Sequence, residues 1–326
     1  MKLADIFSIK NQTDFEQKCL EVFRFQYVHN KVYQRYCNLL GYCQASVKTI
    51  QDIPFLPIEF FKTHTVIASA EEIQKTFTSS GTTGQQTSKH HVTDISIYEQ
   101  SYRKGFEYFY GNIDDYCVLA LLPAYLEREG SSLVYMADDL IKRSKHPKSG
   151  FYLNNLSELA ELINELENKG QKTLLIGVSF ALLDIVEQYK FQLKNTIIME
   201  TGGMKGRRKE MIRTELHEIL KQGFGVEHIN SEYGMTELLS QGYSNGKGIF
   251  ECPPWMRIQL RNTEDPLEKI TVLQKTGGIN VIDLANINSC SFIATQDLGK
   301  LHPNNTFEIL GRFDNSDIRG CNLLVL

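Results

Sequence analysis

"FTSSGTTGQQTSKHHV", residues 77–92, is the stretch on which the reading of this chain turns. Between Thr78 and Gly84 stand five Ser/Thr hydroxyls and two glycines, and Lys89 follows soon after. Nothing between Thr78 and His91 is apolar, so no part of it is expected to feed a core. Two readings remain. One is a solvated surface loop; the other is a turn that aims successive backbone N–H groups and hydroxyls at one anion. A Walker loop needs G-x-x-x-x-G-K-[ST]. Five residues after Gly81 stands Gln86, so that template fails, and a dinucleotide G-x-G-x-x-G fails as well. Composition alone leaves the phosphate cradle and the flexible loop both open.

The whole chain sets the limits. Its 326 residues, 42% hydrophobic and 23% charged, are enough for one large domain or two medium ones. A net charge of −4 argues against a nucleic-acid binder, whose footprint would be basic. No apolar run reaches the roughly 18 residues of a membrane span. "MKLADIFSIKNQTDFEQ" carries acidic and polar residues too early for a signal peptide. The seven cysteines, at 19, 37, 43, 117, 252, 290 and 321, make no C-x-x-C and no zinc spacing. They read as reduced thiols in a cytoplasmic protein.

Along the chain, residues 13–40 predict one amphipathic helix, with Thr13 and Glu16 as a capping box and Gly41 as its stop. "DIPFLPIEFFK" (52–62) cannot be regular, because Pro54 and Pro57 each remove a donor. "YCVLALL" (116–122), "TLLIGVS" (173–179) and "TIIMET" (196–201) read as buried parallel strands. Helical stretches are expected between them, near 131–145, 157–169 and 206–222. The alternation predicts an α/β fold with covered sheets. From about residue 248, "MRIQLR", "EKITVLQ", "GINVIDLANI", "SFIAT" and "TFEIL" predict a smaller antiparallel subdomain, one that could close into a barrel.

A second segment bears on the phosphate question. "SEYGMTELLS" (231–240) places Tyr233, Thr236 and Glu237 together, with Gly234 to let the backbone turn. A Thr–Glu pair suits a divalent metal on phosphate oxygens, although an acid after Thr is also ordinary helix-start chemistry. "IATQDLG" (293–299) and "LGRFDNSDIRG" (310–320) each end a strand with an acid in a turn. Such an Asp can accept both hydroxyls of a ribose, or be plain turn chemistry.

These four motifs, in this order, resemble the adenylate-forming (AMP-binding) superfamily: acyl-CoA synthetases, peptide-synthetase adenylation domains and luciferases. "LLPAYLEREGSSLVYMADDLI" (121–141), "TGGMKG" (201–206) and "CPPWMR" (252–257) are similar to the LuxE-like acyl-protein synthetases of bacterial bioluminescence fatty-acid reductases. Phenylacetate–CoA ligases are more distant relatives. The resemblance implies an adenylate-forming domain over 1–310 and a hinge-like tail over 311–326, without the mobile C-terminal lid domain that most members carry. It implies that a fatty or aromatic acid and ATP-Mg give acyl-AMP and pyrophosphate, and that the acyl group then moves to a protein thiol.

Residue by residue, the resemblance implies that Thr78, Ser79, Ser80, Gly81, Thr82, Thr83 and Gly84 hold the β- and γ-phosphates, with Lys89 as a nearby charge. Gly202 and Gly203 would let adenine lie on backbone, and Tyr233 would stack on it. Thr236 and Glu237 would position phosphate and magnesium. Asp297 would take the ribose, and Arg312 would reach the ribose or phosphate side. Cys321 would accept the acyl group, unless it is a structural thiol in a last strand "CNLLVL". The acyl pocket would draw on 121–136, with Trp255 either lining it or in the core. "KGRRKEMIR" (205–213) is either a solvated face or a phosphate or partner site. His90 and His91 would point to opposite faces of a strand. A partner protein that takes the acyl group or reduces it is compatible with this reading. So are transfer to coenzyme A or a carrier protein, and a non-catalytic acyl- or nucleotide-binding scaffold.

Overall fold

The computed structural model describes residues 3–68, 70–79, 86–122, 130–152, 155–202, 208 and 211–312. The chain divides into two units, one taking Glu99–Thr236 and Gln241–Phe250, the other Met1–Tyr98, Glu237–Ser240 and Glu251–Leu326.

The Glu99–Thr236 unit is built on a parallel sheet. Its strands run in the order Gly150–Phe151, Cys117–Leu121, Thr173–Gly177, Thr196–Thr201, Asn230–Tyr233, with Gly242–Ser244 closing the edge antiparallel. The apolar runs expected to be strands are the central ones, and Cys117–Leu121 and Thr173–Gly177 are buried along their whole length. Helices Ser132–Ser144 and Leu156–Asn168 start where Ser131 and Asn155 accept from the backbone N–H groups of Val134 and Glu158. The helix expected over 206–222 is Arg213–Phe224, N-capped by Ile212 without a side-chain bond. Of the basic run, Arg213 is the first residue of this helix and Arg208 lies ahead of it, while 205–207, 209 and 210 lie outside the described residues.

Gly223 shows how tightly that last helix packs on Ser179–Gln188. A Cβ at Gly223 would lie 2.3 Å from Val186 Cβ. Alanine gains about 1 kcal/mol of helix propensity over glycine, whereas overpacking costs ~1–3 kcal/mol, and this clash lies at the severe end. Gly223→Ala should therefore lower the urea midpoint by a net loss of about 2 kcal/mol. An unchanged or raised midpoint would contradict this packing.

The other unit carries an antiparallel sheet in the order Phe307–Arg312, Phe292–Leu301, Thr276–Asp283, Met256–Arg261, Lys269–Ile270. Leu56–Pro57 adds in parallel beside Phe292–Leu301, so Pro57 does enter a strand and "DIPFLPIEFFK" is partly regular; helix Phe60–Thr63 follows. The path is open, with no pairing among the described residues that closes a barrel. "GINVIDLANI" is two elements, because the strand ends at Asp283 and a 3-10 turn, Leu284–Asn288, follows. Of "EKITVLQ" only Lys269–Ile270 is strand.

The N-terminal helix is also two, Gln12–His29 and Lys31–Leu39. Asn30 divides them, extended at φ −92°, and its side chain accepts from Tyr33 N–H to cap the second helix. The first is capped by Asn11 rather than by the Thr13–Glu16 box. The break has a use. Asn30 Nδ2 donates to Ser289 O, and Gln26 Nε2 donates to the carbonyls of Asn286 and Ile287, so the helix pair pins the 286–291 turn. Both side chains are buried, where amide bonds to backbone are costly to lose.

Candidate functional site

The hydroxyl-rich stretch is the connection of a hairpin. Lys75–Thr78 pairs with Lys89–Val92, Thr78 standing opposite Lys89. Beyond that pair Ser88 N–H donates to Ser79 Oγ at 2.9 Å, and Ser79 N–H to Ser88 O at 3.2 Å. Ser79 and Ser88 thus form the neck of the loop; Ser80, Gly81, Thr82, Thr83 and Gly84 lie outside the described residues. The stretch also reaches a core, against expectation. Ser88 and His90 are buried, and His90 Nε2 is 2.9 Å from Ser289 Oγ. His91 lies on the other face, half-buried, beside Thr76 Oγ1.

At this neck sits Glu237. It is 5% exposed, and the Ser88 hydroxyl hydrogen-bonds its carboxyl. Burial pushes the carboxyl above its ordinary range; the Ser88 bond and the charges of Arg312 and Lys62 oppose that without overcoming it. The backbone around Glu237 is held by groups that sequence reasoning did not single out. Asn286 Nδ2 donates to Glu237 O at 2.7 Å. Asp283 accepts from Leu239 N–H at 2.8 Å, Ser240 N–H at 2.9 Å and Ser240 Oγ. Burial raises Asp283 to about 6 against these bonds. Trp255 closes the same cluster from the core side. It is 3% exposed, its Nε1 donates to Ser240 Oγ, and Phe7 meets it edge-on.

Asp297 is not in a turn. It lies within strand Phe292–Leu301, opposite Arg312, where the register slips between Leu298 and Gly299. Such a bulge bends a strand and re-aims its side chains. Asp297 is 6% exposed, and its Oδ1 accepts from Arg312 Nε at 3.1 Å, the arginine side chain being 73% exposed. Behind the bulge, the buried guanidinium of Arg261 donates to the carbonyls of Ile279 and Thr295.

In the Glu99–Thr236 unit, the candidates stand at the C-terminal ends of two adjacent parallel strands, the usual ligand edge of such sheets. Gly202 follows Thr196–Thr201 at φ 64°, a left-handed conformation that favours glycine. Its carbonyl accepts from Ser179 Oγ at 2.9 Å. Tyr233 ends the neighbouring strand, 8% exposed and edge-on to Phe250. Thr236 is half-buried, and Gly203 lies outside the described residues, as do 123–129 of the expected acyl pocket. Gly234 does not serve a left-handed turn. Its φ is not positive; what it lacks is a Cβ, which would lie 2.3 Å from Glu232 Oε1.

The surroundings of these strand ends are acidic. Burial works against the charge of Glu200, but His217, Arg213 and Ser231 outweigh it and hold the carboxyl below its ordinary range. Arg213 Nε stands 3.4 Å and His217 Nε2 3.6 Å from it. Of the basic run, Arg208 is ion-paired with Asp184 and Glu187. Among the described residues no three His, Cys, Asp or Glu side chains form a metal cage, and no described helix is long and apolar enough to cross a membrane.

One family model, "Acyl-protein synthetase, LuxE", matches this chain over residues 6–326. The chain belongs to the LuxE acyl-protein synthetase family. It is by that membership an ATP-dependent ligase that activates a carboxylic acid and passes the acyl group to protein. Among curated relatives it is similar to the long-chain-fatty-acid–luciferin-component ligases of Aliivibrio fischeri, 23% identical, and Vibrio harveyi, 22% identical. Each comparison covers 97% of this chain and 89% of the relative. Among solved structures, 2-hydroxyisobutyryl-CoA ligase in its postadenylation state matches with a TM-score of 0.66 at 10% identity, over 93% of this chain and 68% of that one. ATP-bound MatB from Rhodopseudomonas palustris matches with a TM-score of 0.56 at 16% identity, over 75% of this chain. The match spans 49% of MatB's length. These likenesses show the adenylate-forming α/β fold of this LuxE family member.

Proposed function

We propose that this chain activates a long-chain fatty acid with ATP, releasing pyrophosphate, and passes the acyl group from the adenylate to the thiol of Cys321. The observation that carries the reading is the Ser88–Glu237 bond. It sets a buried carboxyl, poor in compensating charge, at the neck of a loop rich in N–H and hydroxyl donors. A carboxyl so placed favours a cation shared with bound phosphate. Magnesium fits this donor set: Glu237 and the hydroxyl of Thr236 supply few protein oxygens, and Mg²⁺ normally takes the rest from phosphate and water. When bound, it would neutralise charge on the phosphates.

In this reading Thr78, Ser79, Ser80, Gly81, Thr82, Thr83 and Gly84 cradle the β- and γ-phosphates, with Lys89 at the hairpin neck as an added charge. Gly202, Gly203 and Tyr233 take adenine, and Asp297 takes the ribose hydroxyls with Arg312 beside it. Residues 1–310 act as the adenylate-forming domain and 311–326 as a hinge-like tail that carries Cys321, which lies outside the described residues. The fatty acid follows from the names of the curated relatives, and a partner that draws the acyl group onward fits the same names. A carboxylate substrate is already ionised at neutral pH, so no general base is required and the work is positioning and charge neutralisation.

Asp297 gives a direct test. Charge-assisted bonds to two ribose hydroxyls are worth roughly 1.5–3 kcal/mol each at most. Asp297→Ala should raise the KM for ATP at least about tenfold in a pyrophosphate-release assay. An unchanged ATP dependence would remove Asp297 from the site.

A further inference from the structure

Glu232 sits one residue before Tyr233, and the function proposed above gives it no role. On strand Asn230–Tyr233 it is flanked in register by Thr201 on one side and Tyr243 on the other. Thr201 Oγ1 donates to Glu232 Oε2 at 2.7 Å. The other carboxyl oxygen occupies the space over Gly234 where a Cβ would stand. One carboxyl thus touches the residue before Gly202 and fills the gap after Tyr233. We propose that Glu232 is a positioning residue for the nucleotide, a latch that fixes the strand end bearing Gly202 against the strand end bearing Tyr233. The inference rests on the assignment of those two residues to adenine.

An amide at this position could accept the Thr201 hydroxyl without a charge to desolvate, so the acid needs an explanation. Burial, together with the nearby charge of Glu200, pushes Glu232 up to about 7 although the Thr201 bond favours ionisation. Among the described residues, Tyr243 stands opposite it in register on the next strand, and Tyr110 on helix Ile95–Tyr110, edge-on to Tyr243, has its own proton loss disfavoured by the Glu232 charge. His217 and Arg213 compensate Glu200 instead. A hydroxyl donates more strongly to a carboxylate than to a carboxylic acid. The latch therefore tightens as Glu232 ionises, and nucleotide affinity rises with pH across neutrality.

The test is calorimetric binding of a long-chain acyl-sulfamoyl adenosine, whose charge is constant between about pH 6 and 8. Wild type should bind about fivefold tighter at the upper end, the equivalent of one hydrogen bond strengthened by ~1 kcal/mol. Glu232→Gln, which keeps an acceptor and removes the titration, should bind with a flat pH profile. Thr201→Val and Gly234→Ala, which remove the donor or displace the carboxyl, should bind more weakly and lose the pH dependence. A merely structural Glu232 would leave the slope in place. A slope that persists in Glu232→Gln, or one of opposite sign in wild type, overturns the latch. If wild type fails to bind the probe at every pH, the assignment of adenine to these strand ends is what fails, and the latch falls with it.

Discussion

Glu237→Gln is expected to lower acid-dependent ATP–pyrophosphate exchange by about 10²–10³-fold at saturating magnesium, the size of effect seen when one preorganised charge stabiliser is lost. The substitution keeps the shape of the side chain and can still hydrogen-bond Ser88. What it removes is the charge that a phosphate-bound cation would meet. Stability should move the other way. Burial raises the Glu237 carboxyl above its ordinary range, so the folded state binds this proton more tightly than the unfolded chain does. Such a group costs stability as pH rises from its unfolded value through its folded one. Glu237→Gln should accordingly melt at or above the wild-type temperature near pH 8 while activity collapses. A variant that loses stability and activity together would make Glu237 a structural residue. One that keeps full exchange would take it out of the reaction.

The second large effect concerns Cys321. Incubation with ATP, magnesium and a suitable fatty acid should leave a hydroxylamine-labile acyl adduct on the protein, and Cys321→Ser should abolish it. Adenylate formation should stay within about twofold of wild type, because the two half-reactions use different groups. A tethered thiol replaces a bimolecular encounter by an intramolecular one, an advantage of several orders of magnitude when the geometry is right. Five other cysteines are poor alternatives in their ground state. Burial pushes Cys19, Cys37, Cys117, Cys252 and Cys290 upward and disfavours the thiolate that must attack. Cys43 is the exception, exposed and lowered by hydrogen bonds from the backbone of Ser46 and Ala45 and the Ser46 hydroxyl. An adduct that survives in Cys321→Ser but disappears in Cys43→Ser would move the acceptor. No protein adduct, with turnover only when coenzyme A is supplied, would replace the acceptor altogether.

The parts of this molecule that were legible in the sequence are those whose chemistry dictates residue type. Buried parallel strands must be apolar on both faces, so Cys117–Leu121, Thr173–Gly177 and Thr196–Thr201 stand out as unbroken runs. The Thr236–Glu237 and Asp297 motifs could each pass for helix-start or turn chemistry, and it is their order along the chain, resembling the adenylate-forming superfamily, that singles them out. The misses share a different cause: they depend on partners distant in sequence. Asn30 breaks an apparently continuous helix because its amide reaches Ser289, a contact invisible to helical periodicity. Asp283 reads as a strand-ending acid until the backbone of Leu239 and Ser240 is seen to bond it. Gly234 suggests a turn, yet its φ is not positive, and the space of its missing Cβ is taken by the Glu232 carboxyl. Asp297 lies in a strand, opposite Arg312 and next to a bulge, and one-strand patterning does not reveal a bulge.

ATP–pyrophosphate exchange measured with a panel of carboxylic acids tests most directly whether this chain makes acyl-adenylates. Exchange should require both magnesium and an acid, be greatest with long-chain fatty acids, and fall at least about tenfold in Asp297→Ala at subsaturating ATP. Exchange no greater than the acid-free background, across fatty and aromatic acids alike, would contradict the account.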